Sequence, residues 1–477
     1  MLSLHAAAAM MGARLVGDGA RRFARVNTDT RSLAAGELFV AIAGERFDGH
    51  SFIARALELG AAGVIAEHLP EGCTGPALLV ADTRRALGEL AAGWRRRFGL
   101  PTIAVTGSNG KTTVKEMIAS ILAARFGESA RLATQGNLNN DIGVPLTTLR
   151  LASSHQAAVI ELGMNHPGEI IELARIAQPT VALINNAQRE HQEFMASIDA
   201  VAQENGSVLT ALAHDGVAVF PAGTVYDALW SDLAGGRRCL RFGLDGAGDV
   251  RGTVQASTEG TRLRIEGAVR IDEVVLATFG VHNARNALAA AACAHAAGID
   301  EASIAHGLAR FTPVKGRLQR KRAVSGALVI DDTYNANPDS VRAAIDVLAA
   351  QPAPRWLVLG DMGEVGDHGA EYHAEIGAYA KAQGIERLYC MGSAMHDAAL
   401  AYGPGALHFD AIEPLIDAVR MAPPEVSLLV KGSRFMRMER VVGALIGEPV
   451  EPHGASPDKK PVAPEGAGAR EGHDHVA

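Results

Sequence analysis

Short apolar runs, separated by glycine turns and helical stretches, recur along most of the chain. In residues 1 to about 85 they are Leu38-Phe-Val-Ala-Ile42, Ala62-Gly-Val-Ile-Ala66 and Ala77-Leu-Leu-Val80, the lengths and compositions of strands in a small α/β domain. From about 86 to 315 the run Thr102-Ile-Ala-Val-Thr106 leads into a long helical stretch reaching Arg125. Two further runs follow, Ala157-Ala-Val-Ile-Glu161 and Val181-Ala-Leu-Ile-Asn185. Continuous rather than alternating apolar character suits parallel strands covered on both faces. Between about 218 and 280 the helical pattern thins, and Arg262-Leu-Arg-Ile265 and Glu273-Val-Val-Leu276 predict a small antiparallel addition. The Ala-rich segment Asn283 to Ala297 reads as a buried helix stopped by Gly298. From Gly316, strands at 328–332, 356–360, 388–391 and 427–431 alternate with helical stretches, predicting a parallel sheet with crossover helices. Beyond about 448 the chain is Pro, Gly, Lys, Glu and His without periodicity, too polar to order itself. The expected fold is α/β with three domains (1–85, 86–315 and 316–448), followed by a disordered tail, 449–477.

Length agrees with this division, since 477 residues exceed the ~250 at which single cores stop growing. A content of 48% hydrophobic and 21% charged residues, with 52 glycines, is that of a globular protein rich in tight turns. The net charge of -8 removes the broad basic footprint that nucleic acid requires. Four scattered cysteines without a C-x-x-C pairing argue against a disulfide framework and a zinc site, and for a reducing compartment. The apolar N-terminal stretch lacks a basic flank, and no run reaches the ~18 apolar residues of a membrane span. A cytoplasmic protein without membrane insertion is expected.

Candidate chemistry gathers at strand ends. After Thr106 comes Gly107-Ser-Asn-Gly-Lys-Thr-Thr113, in which glycines permit a tight turn and a helix start presents N–H groups and a positive dipole end to phosphate. Lys111 could then meet the β and γ phosphates and the Thr112 hydroxyl a Mg²⁺ ion. Val105 stands where the usual loop has its first glycine, and a plain strand-to-helix turn is the alternative. Glu161 closes the next strand, a position suited to Mg²⁺ or to simple solvation. His191, in Asn185-Asn-Ala-Gln-Arg-Glu-His-Gln-Glu193, is either a second metal ligand or an ordinary loop histidine. Gly280-Val-His-Asn-Ala-Arg-Asn286 offers amides for an adenine edge or for helix capping. In the third unit, Asp331-Asp-Thr-Tyr-Asn-Ala-Asn-Pro338 crowds acids, an aromatic ring and amides into one loop. Gly360-Asp-Met-Gly-Glu-Val-Gly366 and Lys431-Gly-Ser-Arg-Phe-Met-Arg437 end two more strands, as functional loops or helix caps. The pair His473 and His475 reads as a metal site or a solvated terminus. These residues define a multidomain, Mg-dependent user of ATP without separating kinase from ligase.

Together these segments resemble the Mur ligase family, the ATP-dependent amide-forming enzymes that build the peptide stem of bacterial cell-wall precursors. The resemblance extends to about residue 448 and rests also on Thr28-Asp-Thr-Arg-Ser32, Phe47-Asp-Gly-His50, Gly136-Asn-Leu-Asn-Asn-Asp-Ile-Gly143, Glu161-Leu-Gly-Met-Asn-His-Pro167, Leu359-Gly-Asp-Met-Gly-Glu364 and Lys431-Gly-Ser-Arg434. It implies a central P-loop ATPase domain and a Rossmann-like C-terminal domain. It also implies two substrates, UDP-N-acetylmuramoyl-tripeptide and D-alanyl-D-alanine, joined through an acyl phosphate, a step in cell-wall synthesis on which cell shape and division depend. By resemblance, Lys111, Glu161, His191 and Arg317 are catalytic. Thr112, Glu161 and His191 match Mg²⁺ positions, and Gly107, Ser108, Asn109, Gly110, Lys111, Thr112, Thr113, Asn283, Arg317 and Asp332 match ATP contacts. Thr30, Arg31, Asp48 and His50 look like the N-terminal substrate site. Asn137 and Asn139 lie nearer the muramoyl peptide, and Asn335 and Lys431 lie on the domain that receives the dipeptide. A monomer is expected.

The chain departs from the family at one place. Many Mur ligases carry a carbamoylated lysine that helps hold a second Mg²⁺; Asn205 aligns there and cannot form the carbamate. The expectation is a second metal held by Glu161, His191 and water, either without or with the Asn205 amide, and an activity indifferent to bicarbonate; an alignment slipped by two residues places Gln203 there, also not a lysine. Two other readings remain: a folylpolyglutamate-synthase-like ligase, which shares the loop but lacks a domain like residues 1–85, and an ATP-switched binding protein without ligase activity.

Overall fold

Every apolar run picked out in the sequence becomes a sheet strand, and the strands assemble into three sheets. The computed structural model describes residues 1–44, 47–190, 192–244, 246–256 and 260–448; His191 and the tail 449–477 lie outside the described residues. The first sheet runs in the order Arg14–Val16, Ala77–Leu79, Gly63–Ala66, Leu38–Val40 and Val26–Asn27, parallel except for its first pair. Helix Thr83–Arg95 joins this unit to the next. Its start is capped by Asp82, which accepts from the N–H groups of Arg84 and Arg85. At its far end the buried Arg95 donates to the carbonyls of Ala177, Phe98, Leu100 and Gln178.

The second sheet has nine strands among the described residues. Thr102–Thr106 lies between Val181–Ile184 and Ala157–Glu161, with parallel register on both sides. Successive side chains of a strand point to opposite faces. Ile103 and Val105 accordingly join one core with helices Lys111–Phe126 and Val281–Ala296, while Ala104 joins the other with helices Glu169–Ala177 and Ile198–Gly206. Two buried faces explain the unbroken apolar runs. The alanines of Val281–Ala296 are small enough for that helix to lie close over the sheet, and Ala287 to Ala292 are fully buried.

The expected antiparallel addition is present at the edge of this same sheet. Val217–Pro221, Arg238–Leu244 and Val250–Ala256 first continue the parallel sheet, and only Thr261–Gly267 and Ile271–Leu276 run antiparallel at its edge. An open sheet edge must be extended or covered, and here it is extended. The third sheet orders Gln319–Arg322, Leu328–Asp332, Ser427–Lys431, Arg355–Gly360, Arg387–Met391 and Ala406–Phe409, the first strand antiparallel and the rest parallel. The carboxyl ends of the second and third sheets open onto one crevice of about 1600 Å³, where ligands of such sheets bind.

Candidate active site

The phosphate loop is held from beneath by its own domain. Gly107 has φ 125° and Gly110 φ 82°; a Cβ on Gly107 would lie 3.0 Å from Asn185, and one on Gly110 2.6 Å from Asn286 Oδ1, so both positions require glycine. The Gly107 N–H donates to Asn205 Oδ1 at 2.8 Å, the Ser108 N–H to the Asn186 carbonyl at 3.2 Å, and the Asn109 N–H to Asn186 Oδ1 at 2.8 Å. The N–H groups of Gly110, Lys111, Thr112 and Thr113 open helix Lys111–Phe126 and have no acceptor within it, a helix start of the kind that can receive an anion. The backbone N–H groups of Gly107, Ser108 and Asn109 are taken by Asn205 and Asn186, while Ser108 and Asn109 still line the crevice.

Lys111 Nζ donates to the carbonyls of Gly107 and Ser108 at 2.6 and 3.0 Å and pairs with Glu190 at 2.9 Å. It is thus poised at the loop with its charge already offset. The Thr112 hydroxyl joins two domains: it donates to Glu161 Oε1 at 3.1 Å and accepts from Arg317 Nη2 at 3.0 Å. Glu161 Oε1 also accepts from Asn139 Nδ2 at 2.9 Å, whereas Oε2 is buried without any partner. A buried carboxylate oxygen in that state is costly unless a cation meets it. Together with the Thr112 hydroxyl it makes a hard, all-oxygen donor set that fits Mg²⁺. Among the described residues no group of three His, Cys, Asp or Glu side chains that could hold a metal ion is present, and His191 lies outside them.

Arg317 lies with its guanidinium 4.1 Å from the centre of the Tyr334 ring, a cation–π contact that fixes its plane over the loop. Asp332 and Lys431 pair at 2.6 Å, and Lys431 also donates to the Asn335 carbonyl at 2.8 Å. Lys431 therefore ties the Asp332 loop to its neighbouring strand end. Asn283 is buried, with its amide nitrogen donating to Thr278 Oγ1 and the Phe279 carbonyl, both at 2.9 Å. His282 is half-buried beside it; burial and the charges of Lys431 and Arg285 push its imidazole down to about 4, leaving it neutral in an electropositive part of the crevice.

The structure thus brings Lys111, Thr112, Glu161, Asn137, Asn139, Asn283, Arg317, Asp332, Asn335 and Lys431 to one crevice. Thr30, Arg31, Asp48 and His50 do not line it. His50 is buried, with Nε2 accepting from the Glu67 N–H at 3.0 Å and Nδ1 2.7 Å from Asp48 Oδ1; its ring is spent inside the N-terminal domain. Asn205 lies under the phosphate loop. Its amide, 1% exposed, accepts from the Gly107 N–H and donates to the Val201 carbonyl at 3.1 Å, so both ends bind backbone beneath the phosphate loop. Sequence reasoning passed over Asn185, Asn186, Gln188 and Arg189 in favour of His191, although the density of amides in that segment was the available signal. It also missed Arg84 and Arg85, which line the crevice from the helix joining the first two domains.

Three family profiles match: Mur ligase family, catalytic domain, over residues 22–95; Mur ligase middle domain over 105–294; and Mur ligase, glutamate ligase domain, over 316–434. UDP-N-acetylmuramoyl-tripeptide--D-alanyl-D-alanine ligase of Escherichia coli is 41% identical over 425 residues, covering 88% of this chain and 93% of that protein. The crystal structure of MurF from Acinetobacter baumannii superposes with a TM-score of 0.87 at 35% identity, covering 94% of this chain and 99% of the other. The MurF ligase of Thermotoga maritima in complex with ADP gives 0.80 at 27% identity, covering 90% and 98%. The chain belongs to the Mur ligase family, a family of ATP-dependent ligases.

Proposed function

We propose that the chain is the ligase that adds D-alanyl-D-alanine to UDP-N-acetylmuramoyl-tripeptide with cleavage of ATP to ADP and phosphate. The γ-phosphoryl passes to the free carboxylate of the tripeptide, giving an acyl phosphate; the dipeptide amine then attacks the carbonyl carbon, expels phosphate and loses a proton as the amide forms. One observation carries the reading: the Thr112 hydroxyl is shared by Glu161 of the middle domain and Arg317 of the C-terminal domain, so nucleotide chemistry is completed where two domains meet. Similarity to the UDP-N-acetylmuramoyl-tripeptide--D-alanyl-D-alanine ligase of Escherichia coli over 88% of this chain supports the substrate pair.

In this reading the N–H groups of residues 110–113 cradle the phosphates, and Lys111 exchanges Glu190 for the transferring phosphoryl group. Arg317, held flat by Tyr334, offsets charge in the transition state. Glu161 and Thr112, with His191, would hold Mg²⁺, which would supply charge neutralisation for the phosphoryl group. Asn283 and Asp332 face the nucleotide, Asn137 and Asn139 the muramoyl peptide, and Asn335 and Lys431 the dipeptide. Thr30, Arg31, Asp48 and His50 shape the N-terminal uridine-nucleotide site, with His50 as internal support. No helix among the described residues is long and apolar enough to cross a membrane, and we place the protein in the cytoplasm as a monomer.

The test is phosphate release from Mg-ATP with no addition, with the tripeptide nucleotide alone, and with that substrate plus D-Ala-D-Ala or D-Glu. Release that requires both the tripeptide nucleotide and D-Ala-D-Ala, with a product heavier by that dipeptide, supports the reading. Release independent of both, or ATP binding without release, refutes it in favour of an ATP-switched binding protein.

A further inference from the structure

The segment after strand Val181–Ile184 is bonded to the phosphate loop almost residue by residue. Asn185 Nδ2 and Asn186 Nδ2 donate to the Asn109 carbonyl at 2.8 and 2.9 Å, the Gln188 N–H donates to Ser108 Oγ at 2.9 Å, and Gln188 Oε1 accepts from Asn109 Nδ2 at 2.8 Å. Glu190 then pairs with Lys111. This splint is gripped from the C-terminal domain at one residue, Arg189. Its backbone N–H donates to Asp339 Oδ2 at 2.8 Å. Its guanidinium forks onto Asp339 Oδ1 from Nε at 3.1 Å and Nη2 at 2.7 Å, and onto Glu375 from Nη1 at 2.6 Å and Nη2 at 3.2 Å. Tyr372 lies 5.1 Å beneath it, and Arg342 holds Glu375 from behind at 2.8 Å. A second tie runs alongside, from Asn337 Nδ2 to Asn109 Oδ1 at 2.9 Å.

Exposed ion pairs contribute little, but this one is of another kind. Arg189, Asp339 and Glu375 are 16%, 22% and 31% exposed, and one planar guanidinium satisfies two carboxylates on two helices, Pro338–Ala349 and Gly369–Ala382. We infer that Arg189 is a positioning residue: with Asp339 and Glu375 it clasps the C-terminal domain onto the splint, holding the phosphate loop in its binding geometry while that domain is docked. Losing the clasp opens the molecule and lowers the fraction competent to bind ATP, which raises the apparent dissociation constant by the inverse of that fraction.

The kinetic part of this inference rests on the ligase reading; the scattering and binding parts do not. The full chain and its R189Q, R189K and E375Q variants are compared by small-angle X-ray scattering without ligand, by titration with a fluorescent ATP analogue, and by steady-state kinetics. R189Q is expected to enlarge the radius of gyration and weaken nucleotide binding about tenfold, with KM for the uridine-nucleotide substrate changed less than twofold. E375Q shifts both in the same direction, and R189Q/E375Q is no worse than R189Q alone, because the Glu375 contact is already lost when the guanidinium is removed. R189K restores part of the affinity only, since an ammonium cannot fork onto two carboxylates. Unchanged scattering and nucleotide affinity in R189Q and E375Q, or an effect confined to melting temperature, overturns the inference. A chain with no ligase activity whose nucleotide affinity still falls in R189Q refutes the function and leaves the clasp standing.

Discussion

At the scale of single residues, the site is decided by which polar atoms are already spent. Glu161 Oε2 is buried and unpartnered, and both ends of the Asn205 amide are occupied. Glu161→Gln should therefore lower turnover by ~10²-fold or more, the scale of losing one electrostatic stabiliser. It should also raise the Mg²⁺ concentration needed for half-maximal rate, with the melting temperature little changed. Asn205→Ala strands the Gly107 N–H and should cost about 1–3 kcal/mol in urea unfolding, the cost of an unsatisfied buried donor. Because no carbamate can form at Asn205, bicarbonate at fixed pH and ionic strength should leave the rate unchanged; clear stimulation would refute this. Asn205 was legible only as a departure from the family. Its partner Gly107 lies 98 positions away, and a hydrogen bond of that range has no signature in local pattern.

At the scale of elements, the strands and the phosphate-loop helix were readable because their period and punctuation are local. Thr102–Thr106, Ala157–Glu161, Leu328–Asp332 and Ser427–Lys431 occur as the apolar runs imply. Arg131–Ala133, Gln319–Arg322 and Ala406–Phe409 escaped because edge strands are short and half-polar, so no apolar run marks them. Packing limits what the Ala-rich helix can carry. Ala290 is fully buried against the sheet, and Ala290→Leu should destabilise the protein by about 1–3 kcal/mol through overpacking. The clasp adds a pH dependence. The Arg189 hydrogen bonds, with help from Arg342, hold the Glu375 carboxyl below the usual carboxylate range. A depressed folded-state value means that this stabilisation is present above an ordinary glutamate pKa of ~4.3 and is lost as pH falls through the folded value. Scattering from pH 7 downward should report opening at acid pH, and E375Q should remove that transition.

At the scale of the molecule, the two interdomain attachments differ in kind. Arg95 binds four carbonyls in a buried knot beside Ala177 and Gln178, fixing the joining helix to the middle domain. Among the described residues the C-terminal domain is held across the crevice mainly through side chains, at Arg189, Asn337 and Arg317, with a backbone-to-backbone contact of 3.4 Å from the Glu193 N–H to the Glu364 carbonyl. Side-chain contacts around a cleft are what a closing domain can make and break. Binding at such a cleft should stabilise the closed form by about 2.7 kcal/mol at a hundredfold excess over Kd. Thermal unfolding should therefore shift upward with ATP when Mg²⁺ is present and much less when it is chelated.

The amino-acid sequence by itself determined the α/β class, the run of elements, the phosphate loop and the family, because hydrophobic period, glycine punctuation and contiguous motifs are properties of neighbouring residues. Only the tertiary structure decided which side chains are free to act. Asp332 meets Lys431 across 99 positions, Thr112 meets Arg317 across 205, and Arg189 meets Glu375 across 186. Whether an amide or a carboxylate faces a ligand or its own backbone depends on those meetings, and on the burial that makes an unpaired polar atom costly.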